Sequence, residues 1–135
     1  MNLIDVADEP DAALVLYELL KERRPEENIS HRSMPNWEEH RRFVTAHPYS
    51  AWYLIAISPQ TYVGAIYLSK LDEISVHLFR NQQKRGYGRQ AIELLMEAHP
   101  RRRYLANINP KNMAAREFLL TIGFWPVQTT MEYRP

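Results

Sequence analysis

Three strand-like runs follow one another between residues 51 and 79 with only tight turns between them, and this constrains the fold more than any other feature. Residues 51–58 (Ala-Trp-Tyr-Leu-Ile-Ala-Ile-Ser) and 62–69 (Tyr-Val-Gly-Ala-Ile-Tyr-Leu-Ser) flank the turn Pro59-Gln60-Thr61, and residues 73–79 form the third run. Strands joined this closely pair antiparallel, because a parallel return needs a crossover of about a dozen residues or more. The apolar period then lengthens from 2 to 3.6. Ala91, Leu94, Leu95 and Ala98 mark the inner side of a helix that starts near Tyr87 and stops before Pro100.

The flanking segments extend this pattern. Residues 2–6 read as a first strand, and Pro10 suits the first turn of a helix that carries Ala13, Leu14, Leu16, Tyr17 and Leu20 to about Arg23. Pro25 stops it, and a polar loop follows over 26–35. Asn36 with Glu39 three residues on predicts a capping box. The helix it opens runs to about Ala46, with Trp37, His40, Phe43 and Val44 as its inner stripe. Beyond Pro100, residues 104–108 read as a short strand, Asn112 to about Thr121 as a last helix broken by Gly123, and 124–133 as one or two final strands. The expected architecture is α+β: a single mixed, mostly antiparallel sheet flanked by about four helices, with residues 1–135 as one domain.

Composition excludes several classes. Lys and Arg number 17 against 16 acidic residues, so no basic field attracts nucleic acid or an anionic membrane. The run Arg101-Arg102-Arg103 has no aromatic interleaving and reads as a solvated turn. No apolar run approaches the roughly 18 residues of a membrane span, and the acidic start (Asp5, Asp8, Glu9) does not resemble a signal peptide. The absence of cysteine removes disulfides, thiolate metal sites and a cysteine nucleophile, and is consistent with a cytoplasmic protein. No metal site is expected.

The stretch Gln83-Lys84-Arg85-Gly86-Tyr87-Gly88 lies between the third run and the helix. Glycines there let backbone N–H groups approach a ligand, and the positive end of the helix points at the same place, a combination suited to pyrophosphate. Lys84, Arg85 and Arg89 add positive charge. Gly86-x-Gly88 alone is equally an ordinary turn with solvated basic residues. Gly86-x-Gly88-x-x-Ala91 also satisfies a dinucleotide fingerprint, but that reading needs an acid about 20 residues on at the end of the next strand. That strand ends Ala106-Asn107-Ile108-Asn109.

The pattern Gln83-x-x-Gly86-x-Gly88 resembles the signature of the GCN5-related N-acetyltransferases. A second motif, Asn109-Pro110-x-Asn112-x-x-Ala115-x-x-Phe118 closing on Gly123-Phe124, resembles the C-terminal motif of the same family. Each piece taken alone has a structural account, Asn112 as a helix cap, Gly123 as a breaker and Phe124 as core. Their order and the element order together carry the resemblance over essentially the whole chain. It implies acetyl-CoA as co-substrate, with its pyrophosphate on the backbone of Gln83, Lys84, Arg85, Gly86, Tyr87, Gly88 and Arg89. It also implies pantetheine contacts at Leu78 and Arg80, and further contacts from Asn109 and Asn112.

The resemblance implies N-acetyl transfer to an amine, which requires a base to take the amine proton. Glu73, Ser75 and His77 share one face of the third run and Ile74, Val76 and Leu78 the other. Glu73 stands about ten residues before the glycine loop, where the family often places its base, although Asp72 and Glu73 can equally be a polar turn. His77 is a second candidate, with a hydrogen-bonded strand histidine as its alternative. Many relatives carry a tyrosine as general acid where this chain has Leu119, which leaves Tyr87, or a coenzyme A-binding module without turnover, as alternatives. The resemblance places the acceptor in the loop of the first two helices, where His31 and Arg32 are candidates and Trp37, Trp52 and Tyr53 could wall a groove. The expected acceptor is a small-molecule amine, and a homodimer through 124–133 is an option by analogy.

Overall fold

The computed structural model describes residues 1–27 and 33–135. Four strands, β1 (Asn2–Asp5), β2 (Ala51–Ser58), β3 (Thr61–Leu68) and β4 (Ile74–Leu78), form one open antiparallel sheet in the order β1-β2-β3-β4. The helices are α1 (Ala12–Lys21), α2 (Trp37–Thr45), α3 (Tyr87–Ala98) and α4 (Met113–Thr121). This is the α+β architecture expected, with the meander of residues 51–79 as its centre.

The two faces of the sheet have separate cores. Ile55, Val63, Ile66, Leu68 and Ile74 pack against Ala91, Ile92 and Leu95 of α3. On the opposite face Leu54 and Ala65 pack against Leu16 and Leu19 of α1 and Val44 of α2. Alternation along a strand sends successive side chains to opposite faces, so each central strand feeds both cores. A register shift after Ile55 breaks that alternation, and so Val63 joins the α3 core while Ala65 joins the other.

The capping box of α2 forms as expected. The Glu39 N–H donates to Asn36 Oδ1 at 2.9 Å, and the Asn36 N–H donates to Glu39 Oε1 at 3.1 Å. The α2 stripe is narrower than predicted, since His40 and Val44 are buried but Trp37 and Phe43 are not. His40 takes the inner place because its Nε2–H donates to the Ala13 carbonyl at 2.8 Å, tying α2 to α1. On α3, Ile92 replaces Ala98 in the buried set; Ala98 lies in the exposed last turn.

Two expected strand regions are corrected. Residues 104–108 contribute a single parallel bridge, Glu73 to Leu105, and no strand. The chain swings away once the Ile74 N–H has reached the Leu105 carbonyl at 2.7 Å and the Leu105 N–H the Asp72 carbonyl at 3.0 Å. Residues 124–133 form no strand. Pro126 cannot donate to a ladder, and Trp125, Val127, Met131 and Tyr133 are exposed. Among the described residues no helix is long and apolar enough to cross a membrane, and no group of three or more His, Asp or Glu side chains gathers round a metal position.

One close approach holds β4 in place. Gly64 faces Leu78, and a Cβ at Gly64 would overlap the His77 carbonyl oxygen and lie 2.9 Å from Leu78 Cα. Backbone atoms cannot yield as a flexible side-chain end can. Gly64→Ala should therefore destabilise the protein by about 1–3 kcal/mol, read as a lower urea midpoint at an unchanged slope. An unaltered midpoint would show that β3 and β4 separate freely.

Candidate active site

The loop that leaves β4 is shaped by its own backbone. Residues Arg80–Gln82 make one 3-10 turn, Lys84 has φ 63°, and Gly86 caps α3 at φ 82°. A left-handed φ costs a residue with a Cβ about 1–2 kcal/mol, and glycine avoids that cost. Gly86 also has no side chain to cap the helix. The first backbone bond of α3 is from the Gln90 N–H to the Gly86 carbonyl, so the N–H groups of Tyr87, Gly88 and Arg89 have no helical acceptor. Lys84, Arg85 and Arg89 surround this end and are exposed. Only Arg89 is paired among the described residues, with Glu93 at 3.2 Å. Three N–H donors without a helical acceptor, a helix dipole and two cations unpaired among the described residues are features that suit an anion, and make this end of α3 a candidate anion site.

Gly88 has a different task. It is buried, and a Cβ there would meet Phe118 Cζ at 3.1 Å and Leu78 Cδ1 at 3.8 Å. Its absent side chain lets α4 abut the start of α3. Asn109 and Asn112 shape the start of α4. Asn109 Oδ1 accepts from the Lys111 N–H at 2.9 Å, and Asn112 Oδ1 caps the helix by accepting from the Ala115 N–H at 3.1 Å. Leu119, where a tyrosine was sought, is a half-buried residue of α4. Tyr87 packs against the α3 core.

The outer edge of β4 runs towards this anion site. Ile74 spends its outward N–H on Leu105, and Phe79 donates inward to Val63. By alternation Val76 and Leu78 also present their backbone groups outward. Among the described residues the only bond to them is a long one, from Gln83 Nε2 to the Leu78 carbonyl at 3.4 Å. Arg80 is committed elsewhere: its N–H donates to Glu22 Oε1 at 2.8 Å, and its Nη2 to the Glu22 carbonyl at 2.6 Å. These two bonds seat the end of α1 over the end of β4.

Glu73 stands at the start of β4, beside the bridge to Leu105. Its Oε1 accepts from Ser69 Oγ at 2.9 Å, and its Oε2 accepts from Asn107 Nδ2. Ser75 and His77 follow on the same face, joined by an Oγ···Nε2 contact of 2.9 Å. Part of His77's surface reaches solvent, but the atoms packed round its ring desolvate it. Burial, followed by the charge of Arg23, lowers its pKa to about 3. His77 is therefore neutral at physiological pH.

Arg23 is a residue that the sequence reading passed over. Its Nη2 donates to the Glu27 carbonyl at 2.9 Å, while its Nε–H is buried without an acceptor. Its position two residues before Pro25 resembles an ordinary solvated helix end, and no local pattern marks it as inward. His31 and Arg32 lie outside the described residues. The three aromatic residues offered as a wall part company. Trp52 joins Phe43, Tyr49 and Tyr67 on the face of α1 and α2, Trp37 packs edge-on against Tyr17, and Tyr53 turns to the α3 side, where its hydroxyl meets His99 Nε2 at 2.6 Å.

Two surface cavities lie elsewhere: one of about 460 Å³ between the first turns of the chain and α2, and one of about 240 Å³ against residues 47–52. Neither is lined by β4 or the glycine loop. The candidate site is an open edge, and its chemistry locates it better than cavity size does.

The comparisons agree with this geometry. The model of the acetyltransferase (GNAT) family matches residues 14–124. No curated protein matches. Among solved structures the chain is similar to the crystal structure described as "Putative Acetyltransferase (YycN)" from Bacillus subtilis, with 16% identity, a TM-score of 0.63, and coverage of 99% of this chain and 98% of that one. At that identity the likeness speaks for the fold. With the family model spanning both motifs, the chain belongs to the GNAT family of acetyltransferases.

Proposed function

We propose that this protein transfers an acetyl group from acetyl-CoA directly to the primary amine of a small molecule. The observation that carries the proposal is the continuity of β4's unpaired outer edge with the donors at the start of α3. Val76 and Leu78 offer backbone groups of the kind that pair with the amides of a pantetheine arm. The N–H groups of Tyr87, Gly88 and Arg89, with Lys84 and Arg85, fit its pyrophosphate. In this reading the thioester lies along the outer edge of β4 and the acceptor comes from the side of α1 and α2, next to Ser75.

In the transfer, the amine nitrogen attacks the thioester carbonyl carbon, the C–S bond breaks, and the amine proton passes to a base. Glu73 is the better candidate for that base. His77 binds a proton too weakly at its lowered pKa. Thiols ionise near pH 8.5, so the departing thiolate can take its proton from water. Leu119 then needs no replacement by a hydroxyl. With no cysteine in the chain, the most obvious nucleophile for a covalent intermediate is missing, and direct transfer is the simpler route.

Two measurements test this reading, and a third tests the protonation state of His77. Acetyl-CoA should bind the wild type in the micromolar range by calorimetry, and Gly86→Glu should abolish binding by placing an anion and a Cβ at the phosphate donors. Wild-type binding that survives this substitution would remove the loop from the site. Glu73→Gln should lower kcat by about 10²–10⁴-fold with acetyl-CoA affinity retained; equal turnover would show that another group takes the proton. A wild type that binds acetyl-CoA but releases no thiol with any amine would favour a binding module.

His77 gives the third. Its folded pKa lies below the unfolded value of 6.5. Between pH 6.5 and about 3 the unfolded chain therefore holds a proton that the folded chain does not. Stability from this group is complete above pH 6.5 and should fall as pH drops, by up to about 1.4 kcal/mol per pH unit. His77→Gln should flatten that slope in urea titrations at pH 7, 6 and 5, whereas an identical slope would assign the loss to other groups.

A further inference from the structure

Arg23 is a half-buried guanidinium with no anionic partner among the described residues. Three carboxylates lie close in sequence, at Glu22, Glu26 and Glu27, yet none forms an ion pair with it. Glu22 gives its Oε1 to the Arg80 N–H, and Glu27 offers Arg23 only its backbone carbonyl. The Nε–H is shielded from solvent and has no partner among the described residues. A buried donor left unmatched in this way is destabilising, and such groups in folded proteins normally have a reason.

Its place in the fold supplies one. The two bonds between Arg80 and Glu22 seat the end of α1 on the end of β4. Ser75 and His77 look towards α1, because Val76 and Leu78 on the alternate positions pack with the α3 core. Arg23 is near enough to His77 for its charge to depress the imidazole's proton affinity. The unmatched guanidinium therefore stands at the end of α1 that is seated on β4, and the α1-facing side of β4 carries the Ser75–His77 pair, with the Tyr49–Tyr67 stack (3.8 Å) next along, since Tyr67 pairs across the strands with Ser75.

We infer that the acceptor is an amino acid-like molecule, whose carboxylate is taken by the Nε–H and free Nη donors of Arg23 while its amine reaches towards Glu73. A guanidinium fork presents two parallel N–H groups to a carboxylate, a geometry that neutral or purely cationic amines cannot use. Four residues of strand separate Glu73 from His77, about 13 Å at the usual rise. The chain between amine and carboxylate is therefore a variable that the site reads. This inference rests on the acetyl-transfer reading and adds the acceptor's chemical class to it.

The test uses the full chain and matched amines. Thiol release from acetyl-CoA is compared for glycine, β-alanine, 4-aminobutanoate and 6-aminohexanoate, each against the alkylamine of the same chain length, and for lysine and glutamate against their α-amides. Loss of a charged hydrogen bond corresponds to about 10–100-fold. At least one carboxylated member should exceed its partner by that factor in kcat/KM, with an optimum in chain length. Arg23→Gln should erase the difference chiefly through KM, and Arg23→Lys should restore part of it. Equal use of the paired amines by the wild type, or a preference that persists in Arg23→Gln, overturns the inference. If no amine is acetylated, binding of the same carboxylates to the coenzyme A-loaded protein decides, and no binding overturns it. Melting temperatures show whether the variants fold, and the wild-type comparison stands without them. Failure to bind acetyl-CoA at all would instead remove the acetyl-transfer reading beneath it.

Discussion

A single parallel bridge sets the character of this molecule. Residue 105 meets the sheet beside Glu73, exchanges two backbone bonds at 2.7 and 3.0 Å, and departs. A longer ladder would have consumed the outer edge of β4 in the ordinary way. An absent bridge would have left the end of the chain held by side-chain contacts alone, those of Phe118 and Ile122 among them. One bridge does neither: it anchors residues beyond α3 while leaving Val76 and Leu78 with outward backbone groups whose one bond among the described residues is the long one from Gln83 Nε2 to the Leu78 carbonyl. Open strand edges are normally protected because they attract other chains. Here the exposed stretch is only a few residues long and ends at the charged, glycine-bearing loop.

The inner edge of β4 has to be rigid for the outer edge to be useful. Gly64 provides that rigidity by removing the side chain that would part β3 from β4. With the strand fixed, alternation does the rest. Ile74, Val76 and Leu78 belong to the α3 core, and Ser75 and His77 turn to the side of α1 and α2. The two faces of one short strand therefore meet different surroundings. A neutral His77 suits that arrangement, because a second positive charge next to Arg23 would be costly in so desolvated a place.

How far the sequence foretold this depends on the range of the interactions concerned. The meander of residues 51–79, the capping box at Asn36 and the left-handed glycine at position 86 are determined by neighbours a few residues away, and each was legible. The residues of the glycine loop were legible too, because a strand-to-helix turn keeps them contiguous. The strands expected at 104–108 and 124–133 were not. Their apolar content suits a strand, but residues 104–108 leave the open edge of β4 after one bridge and 124–133 do not reach it, and no local pattern reports where a chain meets or leaves an edge. Arg23 was invisible for the same reason. What turns it inward is the contact of Glu22 with Arg80, 58 residues away.

Glu73 shows why the remaining assignment cannot be separated from the fold. The Ser69 N–H donates to the Glu73 carbonyl at 2.8 Å, and the Glu73 N–H donates to Ser69 Oγ at 3.1 Å, so the turn before β4 is closed on both sides. Within it Asp72 takes a left-handed φ of 62°. The Glu73 carboxylate then binds Ser69 Oγ with one oxygen and Asn107 with the other, two residues beyond the bridge. The Glu73 carboxylate is thus a brace that holds the departing chain against β4, so a substitution of Glu73 made to test its chemistry also tests the anchoring of residues 105–107 to the sheet.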